Sequence, residues 1–553
     1  DYPYYDIDNE LCHTKIPTME EEHSGTVYGS ILADQVLKGD QTLWWVFNDK
    51  GNSHTESNGA AIGLEIRAQA FAFATNDEIN NMSFCSYEII NRSTYELTGT
   101  FFCPWTDVDL GYAKDDYVGC DVARGLGYGY NGDDVDGAGE PEAYGTQPPA
   151  VGVDFFQGPY IDPDGLDNPK YKYVVSQSVD VIDGDTIITY DTISKEQICD
   201  ASINGVNFGN GIVDDERFGM RRFLYHNNSQ TALGDPDNAA ETYLLLRSFW
   251  RDGNKMQFGG TGYPTGGNAA VGPACDFMFP GDTDPCNWGT GGVQPNGGYN
   301  VNGKYWSEKD EGNAPDDRRF MQSAGPFTLK PGAVNYITFG VPWARATSGN
   351  AWESVELLRV TDDKCQALFD NCFKVIDGPN APDLTIRELD QKLIIYLSNS
   401  PISNNYREGY SEPDPQIPDL IPGDSVNLAD KYYRFEGYKV YQLLNAEVGP
   451  DELNDNSKAR LVFQADIKNN VSKLVNYEWD NFIGGNVPTL KVNGANGGIT
   501  HSFVVTEDLF STGESSALVN HQTYYFMAVA YAYNNYFTYS QEPGDLMGLY
   551  GQM

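Results

Sequence analysis

Positive charge is what this sequence has least of. Its 553 residues carry 36 Lys+Arg against 79 Asp+Glu, a formal net charge of −43. A surface that grips phosphate must be basic, so nucleic acid is excluded as a partner. An anionic membrane surface is disfavoured for the same reason. Histidine is scarce, six in all. None stands in H-E-x-x-H, and no G-x-S-x-G elbow is present. Ser53, His54 and Glu56 adjoin, but triad members come from separate loops, so this run reads as polar surface. No catalytic residue is assigned and a non-enzyme is expected. No run approaches the ~20 apolar residues that cross a bilayer, so no transmembrane segment is expected. Cysteine never forms C-x-x-C or a zinc-spaced Cys/His set. The chain opens on Asp1 without a leader-like segment, as a trimmed, mature product does.

Apolar residues are sufficient for packed cores, at 40% with 13% aromatic. A chain of this length is expected to hold two or three domains. Of the nine cysteines, Cys275–Cys286 and Cys365–Cys372 have spacings suited to disulfides, with a third drawn from Cys85, Cys103 and Cys120. An oxidising, extracellular compartment follows from that reading.

The expected fold is mostly β. Residues 1–40 read as an acidic arm or linker. Residues 41–376 read as a large β-sandwich-like domain with very long Asp/Gly-rich loops. Alternation marks strands at Leu43–Phe47, Ile62–Phe73, Met82–Ile90 and Tyr95–Phe102. Gly325–Gly332 and Tyr336–Trp343 read as the two arms of a closing hairpin. Val355, Leu358, Cys365, Leu368 and Cys372 fall near helical spacing, predicting one connecting helix over Trp352–Phe373. Asp377-Gly378-Pro379-Asn380-Ala381-Pro382 makes a stiff boundary. A second β domain over 377–541 and a tail over 542–553 complete the chain.

The acids cluster with Gly and Asn in long loops. Calcium takes six to eight oxygens in flexible geometry, and closely spaced acids in a Gly-bent loop supply them. Asp162, Asp164, Asp167 and Asn168 form the best single match. Asp107, Asp109, Asp115, Asp116 and Asp121 form a second cluster, and Asn131, Asp133, Asp134 and Asp136 a third. Asn210, Asp214, Asp215 and Glu216 form a fourth, and Asp282 with Asp284 a weaker fifth. Each is also a plain candidate for an Asx turn. What favours Ca2+ is that carboxylates crowded within a few residues repel one another unless a cation sits among them. Trp288 and Trp306, in Gly-rich surroundings, are the tryptophans expected to be most exposed.

Two resemblances add to this reading. Tyr432–Tyr441 and the Tyr/Ala alternation over Thr523–Tyr533 resemble the third and sixth strands of a fibronectin type III domain, with insertions near 401–430 and 476–500. Asp107-Val-Asp-Leu-Gly, Asp115-Asp116-Tyr-Val-Gly-Cys-Asp121, Tyr130-Asn131-Gly132-Asp133, Asp154-Phe-Phe-Gln-Gly158-Pro159, Gly325-Pro-Phe-Thr-Leu-Lys-Pro-Gly332 and Gln366-Ala-Leu-Phe-Asp-Asn371 follow in that order. This series resembles large surface proteins of Bacteroidetes-type bacteria exported by the type IX secretion system. The resemblance implies a cell-surface or extracellular location more than an activity. The expectation is a calcium-stabilised structural or adhesive protein whose partners are other surface proteins or copies of itself. The alternatives are a carbohydrate-binding or carbohydrate-degrading protein, and a client or component of the secretion apparatus.

Overall fold

In the computed structural model, residues 38–74, 78–182, 185–198, 203–295, 305–370, 373, 376, 378–414, 417, 429–480, 485–513 and 515–534 are described. The arm up to residue 37, the tail from 535, and Cys12, Cys199 and Cys372 lie outside these residues. The chain separates into two compact units that divide between Phe373 and Lys374. Both are mostly β.

In the first unit the strands are β1 (Gln41–Asn48), β2 (Leu64–Ala72), β3 (Met82–Asn91), β4 (Leu97–Phe102), β5 (Trp105–Asp107), β6 (Asp116–Asp121), β7 (Leu126–Asn131), β8 (Val135–Asp136), β9 (Gly145–Thr146), β10 (Ala150–Gln157), β11 (Tyr171–Ile182), β12 (Asp185–Gln197), β13 (Arg222–Asn227), β14 (Arg318–Leu329) and β15 (Val334–Ala344). The helices are α1 (Ala239–Leu245), α2 (Glu308–Glu311) and α3 (Ala351–Asp370). One antiparallel sheet runs β1-β2-β3-β15-β10-β7-β6, and a second holds β13, β14, β4 and β5. Their inner faces share one core, in which Val153, Phe155 and Ile337 of the first sheet join Phe223, Phe320 and Phe327 of the second. That is a sandwich. Residues of opposite parity on the first sheet (Tyr117, Leu126, Tyr128, Tyr130) turn outward and are covered by Val355 and Leu358 of α3.

The expected closing hairpin is not formed. β14 pairs with β13, β4 and β5, whereas β15 pairs with β3 and β10. Buried Asn91, at the end of β3, explains this. Its side-chain amide donates to Leu329 O at 2.9 Å, and its own carbonyl accepts from Gly332 N–H at 2.8 Å. The Lys330–Ala333 turn is therefore pinned to β3 and passes the chain from one sheet to the other.

The expected Cys275–Cys286 disulfide is not formed, nor is one among Cys85, Cys103 and Cys120, while the expected Cys365–Cys372 pair involves Cys372, outside the described residues. Cys275 is a buried free thiol, as is Cys120, and Cys85 and Cys103 are also free. The reason is burial in packed sheet and core. Cys120 Sγ–H donates to Met278 O, and burial pushes the Cys85 and Cys103 thiols up to about 11 and about 12. Trp306 is another reversal: it is fully buried, its indole N–H donating to Gly260 O, and Trp288 is partly buried.

The second unit contains β16 (Asp383–Leu389), β17 (Lys392–Ser398), β18 (Ser411–Pro413), β19 (Tyr432–Leu443), β20 (Ala459–Asp466), β21 (Lys473–Asp480), β22 (Gly485–Asn493), β23 (Ser502–Val505) and β24 (Tyr525–Tyr533). β16-β17-β23 form one sheet, and β18, β19, β20 and β24 another. Leu397 of the first packs with Tyr438, Val440 and Ala528 of the second. β21 and β22 form a separate antiparallel ladder that begins at Lys473 and overlaps the insertion expected near 476–500.

Candidate functional site

The acidic clusters meet different fates. The first and fourth of them interlock. Asp214 Oδ1 accepts from Asp164 N–H and Gly165 N–H, both at 2.8 Å, and Asp167 accepts from Gly209 N–H and Gly211 N–H through its two oxygens, also at 2.8 Å. Asn168 N–H donates to Glu216 Oε1, and Asn210 Nδ2 to Asp215 Oδ2. Asp164 accepts from Leu166 N–H and Asn168 Nδ2. Asp162 turns away to bind Thr328 through its backbone N–H at 2.6 Å and its hydroxyl at 2.8 Å. Most of these oxygens are occupied by backbone donors, as Asx turns require. Asp215 Oδ1 is the exception, a buried atom without a partner. Burial raises the carboxyls of Asp215 and Glu216.

Asp107 and Asp109 leave their sequence neighbours and meet Asp317, with one oxygen of each within 4.8 Å of the others. β5 pairs with β14 so that Asp107 stands opposite Arg319, whose Nε lies 2.9 Å from Asp107 Oδ2. Arg319 also holds Asp235 at 3.1 Å. Asp235 in turn faces His226 Nδ1 at 3.0 Å, and Trp105 Nε1–H donates to His226 Nε2. Trp105 holds the ring at Nε2, while Nδ1 lies close to Asp235 Oδ1 without an aligned hydrogen bond, and burial lowers this histidine to about 4. Asp317, distant in sequence, carried no sign of joining this group. Arg319 compensates the triad, and two of its three acids are exposed.

The remaining second and third clusters combine at one end of the β6–β7 hairpin. Asp116 and Asn131 stand directly opposite on the two strands, so their side chains lie together on one face. Each is about 1% exposed. Asp116 Oδ2 has one long contact, Leu110 N–H at 3.3 Å. Asp115 Oδ2 accepts from Gly137 N–H at 2.8 Å. Asp136 is buried, accepting from Tyr112 N–H at 2.9 Å and from Tyr144 N–H. Gly111, at φ +74°, makes this possible, because any Cβ there would overlap the Asp136 carboxylate. Asn131 Nδ2 is tied to Asp133 O at 3.0 Å, which fixes its amide.

Three buried oxygens are left with no hydrogen-bond partner here: Asp115 Oδ1, Asp116 Oδ1 and Asn131 Oδ1. Native interiors pair nearly all such atoms. Among the described residues no Lys or Arg forms an ion pair with Asp115, Asp116 or Asp136. Desolvation, then repulsion from Asp115, Asp136 and Asp109, pushes Asp116 up to about 9. Asp115 is raised by burial, with Asp136 and Asp133 adding to it. The donor set is carboxylate and amide oxygen, which suits a hard cation.

The last two residues of these clusters serve the helix. Asp134 Oδ1 accepts from Ala351 N–H at the start of α3. Asp121 pairs with Arg124 at 2.9 Å and Arg359 at 3.2 Å. Of the fifth pair, Asp284 accepts from Trp288 and Gly289 N–H beside a cavity of about 300 Å³, and Asp282 is exposed at its lining.

No protein family, curated protein or solved structure matches this chain.

Proposed function

We propose that this chain is a non-enzymatic, calcium-stabilised structural or adhesive protein of the cell exterior. The observation that carries the calcium reading is the group of unpartnered buried oxygens of Asp115, Asp116 and Asn131, which no Lys or Arg among the described residues neutralises. A divalent ion beside Asp116 and Asn131, which stand opposite on the strand pair, would satisfy their two oxygens and turn repulsion among the neighbouring carboxylates into attraction. Ca2+ then acts as a staple at the open end of the β6–β7 hairpin, where Asp116 and Asn131 stand opposite.

The adhesive part rests on the sheet edge. β1 is the terminal strand of the seven-stranded sheet, and its Leu43, Trp45, Val46 and Phe47 are between 38% and 61% exposed. Exposed apolar edges invite pairing with another chain. The second unit, with three strands against four, has the arrangement that a fibronectin type III resemblance implies, a fold used as spacer or binding module. Export by the type IX route belongs to the same proposal. Light scattering of the full chain in calcium and in chelator tests assembly. Growth in mass that depends on calcium supports it, and an unchanged monomer in both overturns it. A carbohydrate-binding reading is favoured by the exposed Trp45 and Trp105; selective retention on a glycan array supports that alternative.

A further inference from the structure

Among the described residues β1 pairs only with β2, which leaves its other edge open. Natural edge strands are blunted by a Lys, a Pro, a bulge or sheer shortness. β1 has none of these. Its eight residues run without a register shift and carry no charge, in a chain whose net charge is −43. Leu43, Trp45 and Phe47 share one face, beside Ala70, Ala68 and Ile66 of β2, and all three remain exposed.

Hydrogen bonding within the sheet decides which backbone groups of β1 look outward. Arg92 N–H donates to Gly63 O at 2.9 Å, so the odd-numbered residues of β2 bond to β3 and its even-numbered ones to β1. Asp49 N–H donating to Leu64 O agrees with this. Odd-numbered residues of β1 therefore bond to β2, and the N–H and C=O groups of Thr42, Val46 and Asn48 point to the open edge. The charges at the two ends of the strand are complementary. Asp40 precedes it and Lys50 follows it; both are exposed, and neither forms an ion pair among the described residues. One oxygen of Asp40 accepts from Ala74 N–H at 2.7 Å. Asp49 is turned into its own loop, where its carboxylate accepts from the N–H groups of Ile62, Gly63 and Leu64.

We propose that β1 pairs antiparallel with β1 of a second copy of this chain, across a twofold axis through Trp45 that joins the two large sheets into one. The pairing rests on the adhesive reading above and names its partner. An axis normal to the sheet keeps each face on its own side, so odd-numbered residues oppose odd-numbered ones. Centred on Trp45, Leu43 opposes Phe47 of the second copy, Thr42 opposes Asn48, and each Asp40 opposes the other copy's Lys50. Moving the centre to Trp44 sets Lys50 against Lys38 of the second copy, and moving it to Val46 sets Asp49 against Leu43. Only the Trp45 centre matches apolar to apolar and acid to base. The outward N–H and C=O groups of the even-numbered residues meet in that same register. Repulsion between two acidic chains is screened beyond about 8 Å at physiological salt. The contact is isologous, so it closes at two chains. One strand pair buries less than the roughly 1,200 Å² of a standard interface, so Kd is expected on the order of 10–100 µM.

Sedimentation velocity of the full chain in calcium, at concentrations spanning that Kd, tests this. The mass is expected to rise to two chains and stop there. Val46→Pro removes an outward N–H that β2 does not use, and is expected to weaken dimerisation roughly tenfold. Asp40→Lys and Lys50→Asp are each expected to weaken it roughly fivefold, and the two together to restore it, because the opposed charges are then exchanged. Oxidative cross-linking reads the register, with the native chain's own thiols as background. Trp45→Cys is expected to link to itself, whereas Leu43→Cys links to Phe47→Cys and not to itself. A dimer that Val46→Pro leaves intact overturns this pairing, as does a Trp45→Cys chain that fails to cross-link or a double exchange no better than its single changes. In each of those cases assembly, and the adhesive reading, still stand. A native chain that stays monomeric at every concentration removes the pairing and the assembly together.

Discussion

Residues 107–136 and 162–216 contain the same vocabulary of Asp, Asn and Gly, yet they are stabilised differently. In the second stretch the carboxylate oxygens are used up locally, with Asp215 Oδ1 the one buried exception. Asp167 and Asp214 each accept two backbone N–H groups, and the two loops close on each other. In the first stretch Asp116 and Asn131 are drawn into a strand pair, where Asp116 keeps only one long backbone contact, and each has a buried oxygen with nothing to bind. Acid content alone does not mark a cation site. What marks one is a carboxylate whose oxygens the fold buries and then fails to satisfy.

The comparison breaks most visibly in calcium affinity. Asp116→Asn is expected to weaken the ion it holds on the order of 100-fold, since ligand charge sets affinity, while Asp167→Ala leaves calcium titration calorimetry unchanged. Equal losses in the two variants would erase the distinction. The next effect is on pH. The folded-state value of about 9 for Asp116 lies above its ordinary 3.8. Its protonated form therefore favours folding fully below that ordinary value, and the contribution is lost as pH rises towards 9. Urea unfolding in chelator should show stability falling between pH 5 and pH 8, and saturating calcium should remove the slope. A smaller effect sharpens the other side of the comparison. Asp167→Ala removes two accepted hydrogen bonds and should cost about 1–3 kcal/mol, equally in calcium and chelator. Smallest is Asp162→Ala, which releases half-buried Thr328 and should cost about 1 kcal/mol by the same measurement.

The sandwich, the connecting helix and the positions of the acidic clusters were legible, because alternation and Gly/Asx composition are local properties. The partnerships were not. Asp214 meets Asp164 across fifty residues, and Asp317 meets Asp107 across two hundred and ten, distances no loop motif encodes. The hairpin reading failed because Asn91, far upstream, directs the Lys330–Ala333 turn. Cysteine spacing misled at Cys275 because core packing, rather than proximity along the chain, decided where that thiol went.

Thermal unfolding of the full chain in excess calcium and in chelator tests the central claim most directly. A ligand present at 100 times its Kd stabilises by about 2.7 kcal/mol, which for a unit of this size raises Tm by several degrees. Native protein and Asp167→Ala should show that rise in full, and Asp116→Asn a clearly smaller one. A native Tm that is the same in both solutions would contradict the account.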